Sequence, residues 1–442
     1  MKLLVLLALL CGTLAAAERP HIVFVLADDM GIGDTSSYGG KIAATPQLER
    51  LAREGTRFTQ YYSASPICSP SRCGLITGHF PARWNITSFL QTRAGNRACE
   101  QADFLDASTP SLPRTLNAAG YTTAHIGKWH LGGGRDVADA PKFAAYGYDH
   151  ALGTYESPEP AAGLGLRTTP WGKEIAPQQV PRHDRTRWMV DATIAFLKKN
   201  DGKPCFVNLW LDDTHTPWVP AQPVKAGDAG RTNLIAVIEE MDRQLGRLMD
   251  AVPANTLLIF ATDNGALPTF KGERNNGLRG SKLSLYEGGI RLPFIARWPG
   301  HVPAGRVDET TVLQAVDMMP TLAAIAGAPL PKRYASDGVD VSAALLGKPI
   351  ARTQPLFWEY GRNSTTFKYP DAPDRSPNVA MREGPWKFLI NADGTGGELY
   401  DLAADPNESK DVAAGHPGIV AKMKDAALLW RTSLPKLPAA TQ

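Results

Sequence analysis

The chain carries almost no excess of charge of either sign. Its 442 residues have a formal net charge of +3, from 47 Lys and Arg against 44 Asp and Glu. A balance this small excludes the general attraction to phosphate backbones on which nucleic-acid binding depends. We therefore expect no nucleic-acid partner, and any attraction for an anionic substrate must come from a local cluster of basic side chains.

Long apolar runs are missing after the first residues. The run 3–10 follows Lys2 and precedes three alanines at 15–17, which is typical of a cleavable signal peptide covering 1–17. The run is too short to span a bilayer, so we expect no stable membrane insertion. Cys11 raises a lipoprotein alternative, but the residue before it is a leucine rather than a small residue. We expect a secreted or periplasmic protein, lysosomal or extracellular if the host is eukaryotic.

Cysteine is scarce, and beyond the predicted signal peptide only four remain: Cys68, Cys73, Cys99 and Cys205. Secretion would permit a disulfide, but four cysteines can pair in three ways and the sequence does not choose among them. The spacing of Cys68 and Cys73 is not a usual zinc pattern, and no histidine cluster lies near it.

Short apolar runs alternate with helical patterns over most of the chain. The runs predict strands, and the longer periodic segments predict helices, which favours an α/β sheet covered on both faces. Residues 154–182 are rich in Pro and Gly, and we predict a long surface loop there. The predicted strands are 21–27, 122–127, 205–211, 256–261 and 292–296, and the predicted helices are 45–54, 111–119, 185–199, 234–252 and 312–326.

The amino-acid composition and the predicted secondary structure change after about residue 330. Pro and Gly become frequent, and two hairpin-like runs flank a turn at Gly384-Pro385 before a terminal helical pattern. These features predict a small antiparallel subdomain that packs on the main sheet. The two runs are 378–382 and 386–390, and the helix is 416–432.

Acidic and amide side chains follow two of the predicted strands directly. Asp28 and Asp29 come after the first strand, and Asp263 and Asn264 lie just past the strand 256–261. Because ligands bind at the carboxyl ends of strands in α/β sheets, these residues predict one shared site. Their oxygens are the ligands that a hard divalent cation prefers.

Cys68 lies near the start of a short predicted helix, with Arg72 one turn later. A helix N-terminus and a guanidinium both favour an anion, so this pair predicts an activated thiol. The same residue types also fit a partly buried cysteine beside a surface arginine. The two residues alone do not decide between these interpretations.

The motifs around Cys68 and Arg72 favour the first interpretation, a functional cysteine. Residues 68–72 read C-x-P-x-R and are followed by L-x-T-G, and further signatures occur in order along the chain. The sequence resembles the formylglycine-dependent (type I) sulfatases of the alkaline phosphatase superfamily, and the resemblance extends from residue 20 to about 410. Its other motifs are Asp28-Asp29, the G-K-W-H-L-G of 127–132, the D-T-H-T-P of 213–217, the T-D-N-G of 262–265, the Lys-bearing stretch 278–293 and the E-L-Y-D-L of 398–402 with Asp405-Pro406.

The resemblance implies an alkaline-phosphatase-like mixed sheet sandwiched by helices, with a smaller C-terminal antiparallel-sheet subdomain. We expect the catalytic α/β domain at 18–335 and an α+β subdomain at 336–442. It also implies that a maturation enzyme oxidises Cys68 to formylglycine, whose hydrated gem-diol is the nucleophile that attacks sulfur. The implied ligands of one Ca²⁺ ion are Asp28, Asp29, residue 68, Asp263 and Asn264.

The same resemblance implies a role for each of five further side chains. Arg72 would stabilise the deprotonated hydroxyl of residue 68, and Lys128 and Lys282 would hold sulfate oxygens. His130 would assist the release of sulfate, and His215 would bind sulfate and protonate the leaving alcohol. A looser match in 147–153 suggests a sulfate contact from Ser157.

The resemblance predicts a sulfated carbohydrate as the substrate, with simple aryl sulfates also accepted. A phosphate or phosphonate ester hydrolase of the same superfamily is one alternative, and a catalytically inactive carbohydrate-binding homologue is another. Three tryptophans and three arginines close to the motifs could contact a sugar chain, although ordinary packing or a solvated surface fits them as well. They are Trp84, Trp129, Trp218, Arg83, Arg93 and Arg97.

Overall fold

The structure, a computed structural model, describes residues 19–161, 180–225, 227–362 and 374–435. The predicted signal peptide, 1–17, and most of the predicted loop 154–182 lie outside these ranges. Within the described ranges, no helix is both long and apolar enough to cross a membrane.

Two sheets contain the strands of the described ranges, and helices pack around both. The strands are β1 His21–Ala27, β2 Thr56–Tyr62, β3 Thr122–Gly127, β4 His150–Gly153, β5 Cys205–Trp210, β6 Thr256–Thr262, β7 Arg291–Arg297, β8 Arg306–Asp308, β9 Leu313–Gln314, β10 Leu356–Glu359, β11 Val379–Glu383, β12 Trp386–Ile390 and β13 Glu398–Asp401. The helices are α1 Pro46–Glu54, α2 Cys68–Thr77, α3 Arg93–Ala98, α4 Leu112–Ala118, α5 Arg185–Lys199, α6 Ala229–Ala251, α7 Glu287–Ile290, α8 Met318–Ala326, α9 Ser342–Leu345 and α10 Pro417–Ser433.

The larger sheet has nine strands in the order β4-β3-β5-β1-β6-β7-β2-β8, and β9 also pairs with β2. Strand β7 runs antiparallel to both of its neighbours, β6 and β2, and the other pairings are parallel. The carboxyl ends of β1, β3, β5 and β6 therefore meet at one edge of the sheet, which is the edge where a ligand site is expected.

Both faces of the larger sheet are buried, which explains why its strands read as continuous apolar runs. In β1, Ile22, Phe24 and Leu26 pack into one hydrophobic cluster, whereas the alternate residues Val23 and Val25 pack into another. The two clusters lie on opposite faces because successive side chains of a strand point in opposite directions.

The smaller sheet is antiparallel, with the order β10-β11-β12-β13. The hairpin β11–β12 turns at Gly384-Pro385, as its sequence indicates, and α10 packs against the sheet. The predicted fold class is therefore confirmed: a mostly parallel α/β sheet between helices, with a separate four-stranded antiparallel sheet. The boundary at 335/336 stays a prediction.

Two local predictions need correction. The segment 312–326 is not one helix, because β9 and a 3₁₀ turn occupy its first part and α8 begins only at Met318. Asp317 fixes this turn, since its carboxylate accepts hydrogen bonds from the backbone N–H groups of Gln314 (2.7 Å) and Val339 (2.8 Å). The helix predicted for 45–54 begins at Pro46, and among the described groups the side chain of Thr45, the residue before it, makes no capping hydrogen bond.

The cap of α1 comes from a distant part of the chain instead. The Asp242 carboxylate, on α6, accepts hydrogen bonds from the N–H groups of Gln47 and Leu48, each at 2.8 Å. A tertiary contact thus satisfies free N–H groups at the helix N-terminus, and no local sequence pattern predicts it.

Candidate active site

Ten side chains proposed for the site converge at the carboxyl edge of the larger sheet, and all are at least 94% buried. Loops after β1, β3, β5 and β6 supply most of them, and the start of α2 and the loop before α7 supply the others. They are Asp28, Asp29, Cys68, Arg72, Lys128, His130, His215, Asp263, Asn264 and Lys282.

The end of β3 shows how the local sequence positions one of these side chains. Gly127 has a φ of 111°, and a Cβ at this position would lie 1.8 Å from the carbonyl oxygen of Trp210. Only glycine allows this close approach of the two backbones. The N–H of Lys128 then donates to the same carbonyl (2.8 Å), which turns the chain toward the site.

Helix α2 presents Cys68 as its first residue and Arg72 one turn later. All ten residues of α2 are buried, so the alternative interpretation, a partly buried cysteine beside a surface Arg72, is wrong for Arg72. Its guanidinium donates from Nε (2.9 Å) and Nη2 (2.7 Å) to Asp263 Oδ2, and from Nη1 (2.9 Å) to the carbonyl of Lys128. Arg72 therefore connects the strand ends around the cysteine.

The Cys68 thiol lies between two ammonium groups and a carboxylate. Its Sγ is 3.4 Å from Lys128 Nζ, 3.7 Å from Lys282 Nζ and 3.6 Å from Asp28 Oδ1. Burial nevertheless raises the pKa of Cys68 to about 12, and this effect outweighs the two lysines, which lower it. The unmodified side chain is therefore a protonated thiol and a poor nucleophile at neutral pH.

Each lysine also pairs with one aspartate of the β1 edge. Lys128 Nζ donates to Asp28 Oδ2, and Lys282 Nζ lies 2.6 and 2.7 Å from the two oxygens of Asp29. Burial alone would raise the pKa of each carboxyl, but the facing cations hold the pKa values of Asp28 and Asp29 below the usual range. Both aspartates are ionised, as ligands of a cation must be.

A group of side chains here fits a metal ion. One ligand atom each from Asp28, Asp29, Cys68 and His215 lies within 4.8 Å of the others. Asn264 adds an independent sign, because its buried Oδ1 has no hydrogen-bond partner among the described residues, while its Nδ2 donates to Asp29 Oδ1 (2.7 Å). A buried amide oxygen without a donor is costly, and a cation would satisfy it.

Asp263 differs from the other proposed ligands. Burial raises the pKa of its carboxyl to about 6, and the neighbouring Asp28 adds to that effect. Its Oδ2 accepts from Arg72, and its Oδ1 accepts from the backbone N–H of Asp29 (3.2 Å). The structure thus places Asp263 beside the metal-capable group with both oxygens already hydrogen-bonded.

The two histidines differ in which ring nitrogen can accept a proton: it is Nε2 in His215 and Nδ1 in His130. His215 Nδ1 lies 2.6 Å from the carbonyl of Thr216 and therefore carries the proton, and Nε2 lies 3.5 Å from Asp29 Oδ2. His130 donates from Nε2 to the carbonyl of Leu90 (3.0 Å), and its buried Nδ1 has no hydrogen-bond partner in the part of the chain that the structure describes.

Both rings are neutral. Burial lowers the pKa of His215 to about 4, although Asp29 acts in the opposite direction. Burial and the charge of Lys128 hold the pKa of His130 well below its usual value. Each ring can therefore accept a proton, and His215 can donate one from Nε2 only after it has gained it.

Several buried groups support this site without any motif of their own. Arg274 pairs with Asp34 (2.7 Å) and donates to the carbonyl of Asp29 (2.9 Å), which fixes the turn after β1. The Tyr155 ring lies 5.1 Å from Lys128 Nζ and 4.8 Å from the His130 ring. Sequence reasoning missed both residues, because Arg274 lies between two motifs and Tyr155 lies in the predicted loop 154–182.

Other candidates from the sequence lie elsewhere. Trp129 is fully buried among aromatic side chains, so it does not stack on a sugar. Arg83 pairs with Asp337 (2.6 Å), and Arg93 pairs with Asp103 (2.7 Å). Ser157 Oγ accepts from the N–H of Glu159 (3.2 Å). Its contact with sulfate stays a prediction.

The mixed sheet, the acidic strand ends and the lysine-flanked residue at the start of α2 define a hydrolase of the alkaline phosphatase superfamily. Family models agree: the one described as Sulfatase matches residues 20–328, and the one described as N-sulphoglucosamine sulphohydrolase, C-terminal, matches residues 280–428. The chain belongs to the sulfatase family, and it is a sulfuric ester hydrolase.

Two curated relatives match almost end to end. Arylsulfatase A of Homo sapiens is 32% identical over 96% of this chain and 90% of the relative. The N-acetylgalactosamine-6-O-sulfatase of Bacteroides thetaiotaomicron is 28% identical over 92% of each.

Solved structures show the same fold. Ps i-CgsB in complex with k-i-k-neocarrahexaose has a TM-score of 0.77 and 26% identity, over 95% of this chain and 94% of that one. The phosphonate monoester hydrolase of Agrobacterium radiobacter has a TM-score of 0.66 and 21% identity, over 94% of this chain and 96% of that one. At this identity, the second likeness concerns the fold alone.

Proposed function

We propose that the protein is a secreted sulfatase that hydrolyses sulfate esters of a carbohydrate, with a formylglycine derived from Cys68 and one Ca²⁺ ion. The observation that carries this proposal is the position of residue 68. It begins a buried helix, faces two ammonium groups and belongs to a group of metal-capable side chains.

The state of Cys68 supports the modification. A buried thiol with a pKa of about 12 supplies no thiolate at neutral pH, so the unmodified residue is a weak nucleophile. When present, the hydrated aldehyde supplies a nucleophilic hydroxyl, and Ca²⁺ supplies a Lewis acid for the sulfate oxygens. The aldehyde oxygen is bonded to Cβ, as Sγ is, so the groups around Sγ would also surround that oxygen.

The proposed ligands of Ca²⁺ are Asp28, Asp29, residue 68, Asp263 and Asn264. Carboxylate and amide oxygens without a rigid octahedral arrangement suit Ca²⁺ better than Mg²⁺. The unpartnered oxygen of Asn264 supports its place in this set. His215 stands close to the same atoms, and we assign it to the substrate rather than to the metal.

Lys128 and Lys282 would bind sulfate oxygens and oppose the charge that develops as the S–O bond breaks. Arg72 is fixed by Asp263 and by the Lys128 carbonyl, so its charge near residue 68 favours a deprotonated hydroxyl there.

The histidines would move the protons. His130 Nδ1 is the unpartnered acceptor, which suits a base that takes the proton of the second hydroxyl when sulfate leaves. His215 would gain a proton at Nε2 when an anionic sulfate raises the pKa of its ring. It would then give that proton to the departing alcohol.

The substrate class rests on the relatives, since one acts on N-acetylgalactosamine 6-O-sulfate by its name and a structural neighbour holds a neocarrahexaose. Secretion rests on the signal-like run at 3–10. The maturation enzyme would have to act before folding, because Cys68 is only 2% exposed in the folded protein.

Matched esters test the proposed chemistry. Enzyme from a host that forms formylglycine should hydrolyse 4-nitrophenyl sulfate and N-acetylgalactosamine 6-sulfate, and should act far more slowly on 4-nitrophenyl phosphate. Faster cleavage of the phosphate would favour the phosphoester alternative. No turnover of any ester by protein with confirmed formylglycine and bound calcium would favour the binding-protein alternative.

A further inference from the structure

A cavity of about 380 Å³ opens where the smaller sheet meets the edge of the larger one. Gln60 of β2 forms one wall, and Gly384 and Pro385 of the β11–β12 turn form another. None of the ten site residues described above lines it. Its volume lies in the range of small-molecule sites.

Three arginines line this cavity: Arg291, Arg352 and Arg382. Its described lining contains no aspartate or glutamate. Guanidinium groups are the side chains that best match the planar hydrogen-bonding faces of oxyanions. The lining thus has the composition of an anion site.

The three arginines differ in how far neighbouring carboxylates neutralise their charge. Arg352 is neutralised by Asp317, with bonds of 2.7 and 3.0 Å. Arg291 lies 3.7 Å from Glu287, and that carboxylate is shared with Lys387 at 2.8 Å. Glu287 therefore faces two cations at this point, and Lys387 also contacts a second carboxyl group, that of Glu408 (2.9 Å).

Of the three arginines, Arg382 is the one whose charge is least neutralised by a carboxylate. It is 6% exposed, and it donates to neutral acceptors: the Gly384 carbonyl (3.1 Å), the Tyr62 hydroxyl (2.5 Å) and Gln60 Oε1 (2.6 Å). In the part of the chain that the structure describes, no carboxylate lies within 4.0 Å of it. The Tyr62 hydroxyl in turn donates to Glu287 Oε2 (2.6 Å), so the nearby negative charge of Glu287 acts on Arg382 across that hydroxyl. A buried cation without a carboxylate in direct contact is costly, and a bound anion would offset that cost.

We propose that this cavity is a second oxyanion site, separate from the Cys68 centre, which binds a sulfate group through Arg382 and Arg291. The choice of sulfate rests on the proposed function, because hydrolysis releases that anion beside a sulfated substrate. The ligand is either free sulfate or a sulfate ester on another residue of the same carbohydrate.

A negative charge added at the rim of the cavity tests the site without removing a buried arginine. Ala351 lines the cavity and is exposed, so Ala351→Glu would place a carboxylate among the guanidinium groups. Ala414→Glu, on an exposed turn that does not line the cavity, adds the same charge as a control. Both changes are made in Cys68→Ala protein, which lacks the proposed nucleophile.

Equilibrium dialysis against radiolabelled sulfate counts the anions bound per chain. We expect Ala351→Glu to bind one sulfate fewer than Ala414→Glu, or to bind the cavity sulfate at least about tenfold more weakly. Equal numbers and equal affinities in the two variants would overturn the proposal. Because dialysis needs no turnover, a failure of the proposed sulfatase activity would be seen separately, in the ester assays.

Competition separates the two sources of the anion. If a chondroitin 6-sulfate tetrasaccharide displaces the cavity sulfate at lower concentration than unlabelled sulfate does, the ligand is a sulfate ester of the carbohydrate. If unlabelled sulfate competes better, the ligand is the released product.

Discussion

The Lys282 ammonium lies 2.6 and 2.7 Å from the two carboxylate oxygens of Asp29 and 3.7 Å from the sulfur of Cys68. A lysine from the loop before α7 thus reaches both the proposed metal ligands and the proposed nucleophile. Burial would lower the pKa of Lys282, but Asp29 raises it well above the usual value, so the charge persists throughout the working pH range.

Removal of this charge tests its role in the transition state. We expect Lys282→Met to lower kcat by about 10²–10³-fold, because a preorganised donor to the sulfate oxygens is lost. Lys348→Met, at an exposed lysine, should leave kcat unchanged. Steady-state kinetics with 4-nitrophenyl sulfate would measure both. A change confined to KM would place Lys282 outside the transition state.

Metal removal tests the oxygen cluster. Dialysis against a chelator should abolish activity, and Ca²⁺ should restore it better than Mg²⁺, because the ligands are flexible carboxylate and amide oxygens. Asn264→Leu should raise the Ca²⁺ concentration needed for half-maximal recovery at least about tenfold, since the unpartnered Oδ1 is lost. Full activity in the chelated enzyme would contradict the metal assignment.

The choice of leaving group tests His215. We expect His215→Ala to slow hydrolysis of a sugar sulfate by about 10²-fold or more, since an alkoxide needs a proton to depart. The loss for 4-nitrophenyl sulfate should be much smaller, because nitrophenolate leaves without one. His183→Ala, at a half-buried histidine, serves as the control. Equal losses on both esters would assign His215 to binding alone.

A buried ion cluster predicts how stability depends on pH. Lys387 Nζ lies 2.8 Å from Glu287 Oε1 and 2.9 Å from Glu408 Oε1, with all three side chains fully buried. Burial raises the pKa of Glu408 from 4.5 to about 7, and the charge of Glu287 adds to this. The folded state thus holds a proton that the unfolded state has lost, so this contribution to stability falls as pH rises from about 4.5 to about 7.

Glu408→Gln should remove that part of the pH dependence and should be better tolerated at pH 8 than at pH 5. Lys387→Met should lower the free energy of unfolding by about 3–5 kcal/mol, because it removes the cation that contacts both buried carboxyl groups. Urea unfolding at the two pH values would measure both. An unchanged pH dependence in Glu408→Gln would show that Glu408 ionises normally in the folded protein.

The sequence predicts the parts of the fold that carry a clear periodicity. Strands β1, β3 and β12 begin and end at the predicted residues, because their apolar runs are bounded by polar or turn residues. Strand β2 was not predicted. Its sequence, TRFTQYY, has no regular alternation of polar and apolar residues, and its pairing with β7 shifts register between Phe58 and Tyr61.

The site residues also fall into two groups: those that the sequence could identify and those that it could not. Asp28, Cys68 and Lys282 could be named from motifs, since each motif is local in sequence. Arg274 and Tyr155 could not, because only the folded chain brings them to Asp29 and Lys128. Nor could the sequence show that Arg72 is fully buried, since that depends on how α2 packs.

The state of residue 68 tests the central claim most directly. We would measure the mass of the peptide that carries it, from enzyme purified in active form, and compare the modified fraction with the specific activity across preparations. We predict the aldehyde form of residue 68, with activity in proportion to its fraction. Full activity in protein whose Cys68 is an unmodified thiol would contradict the account.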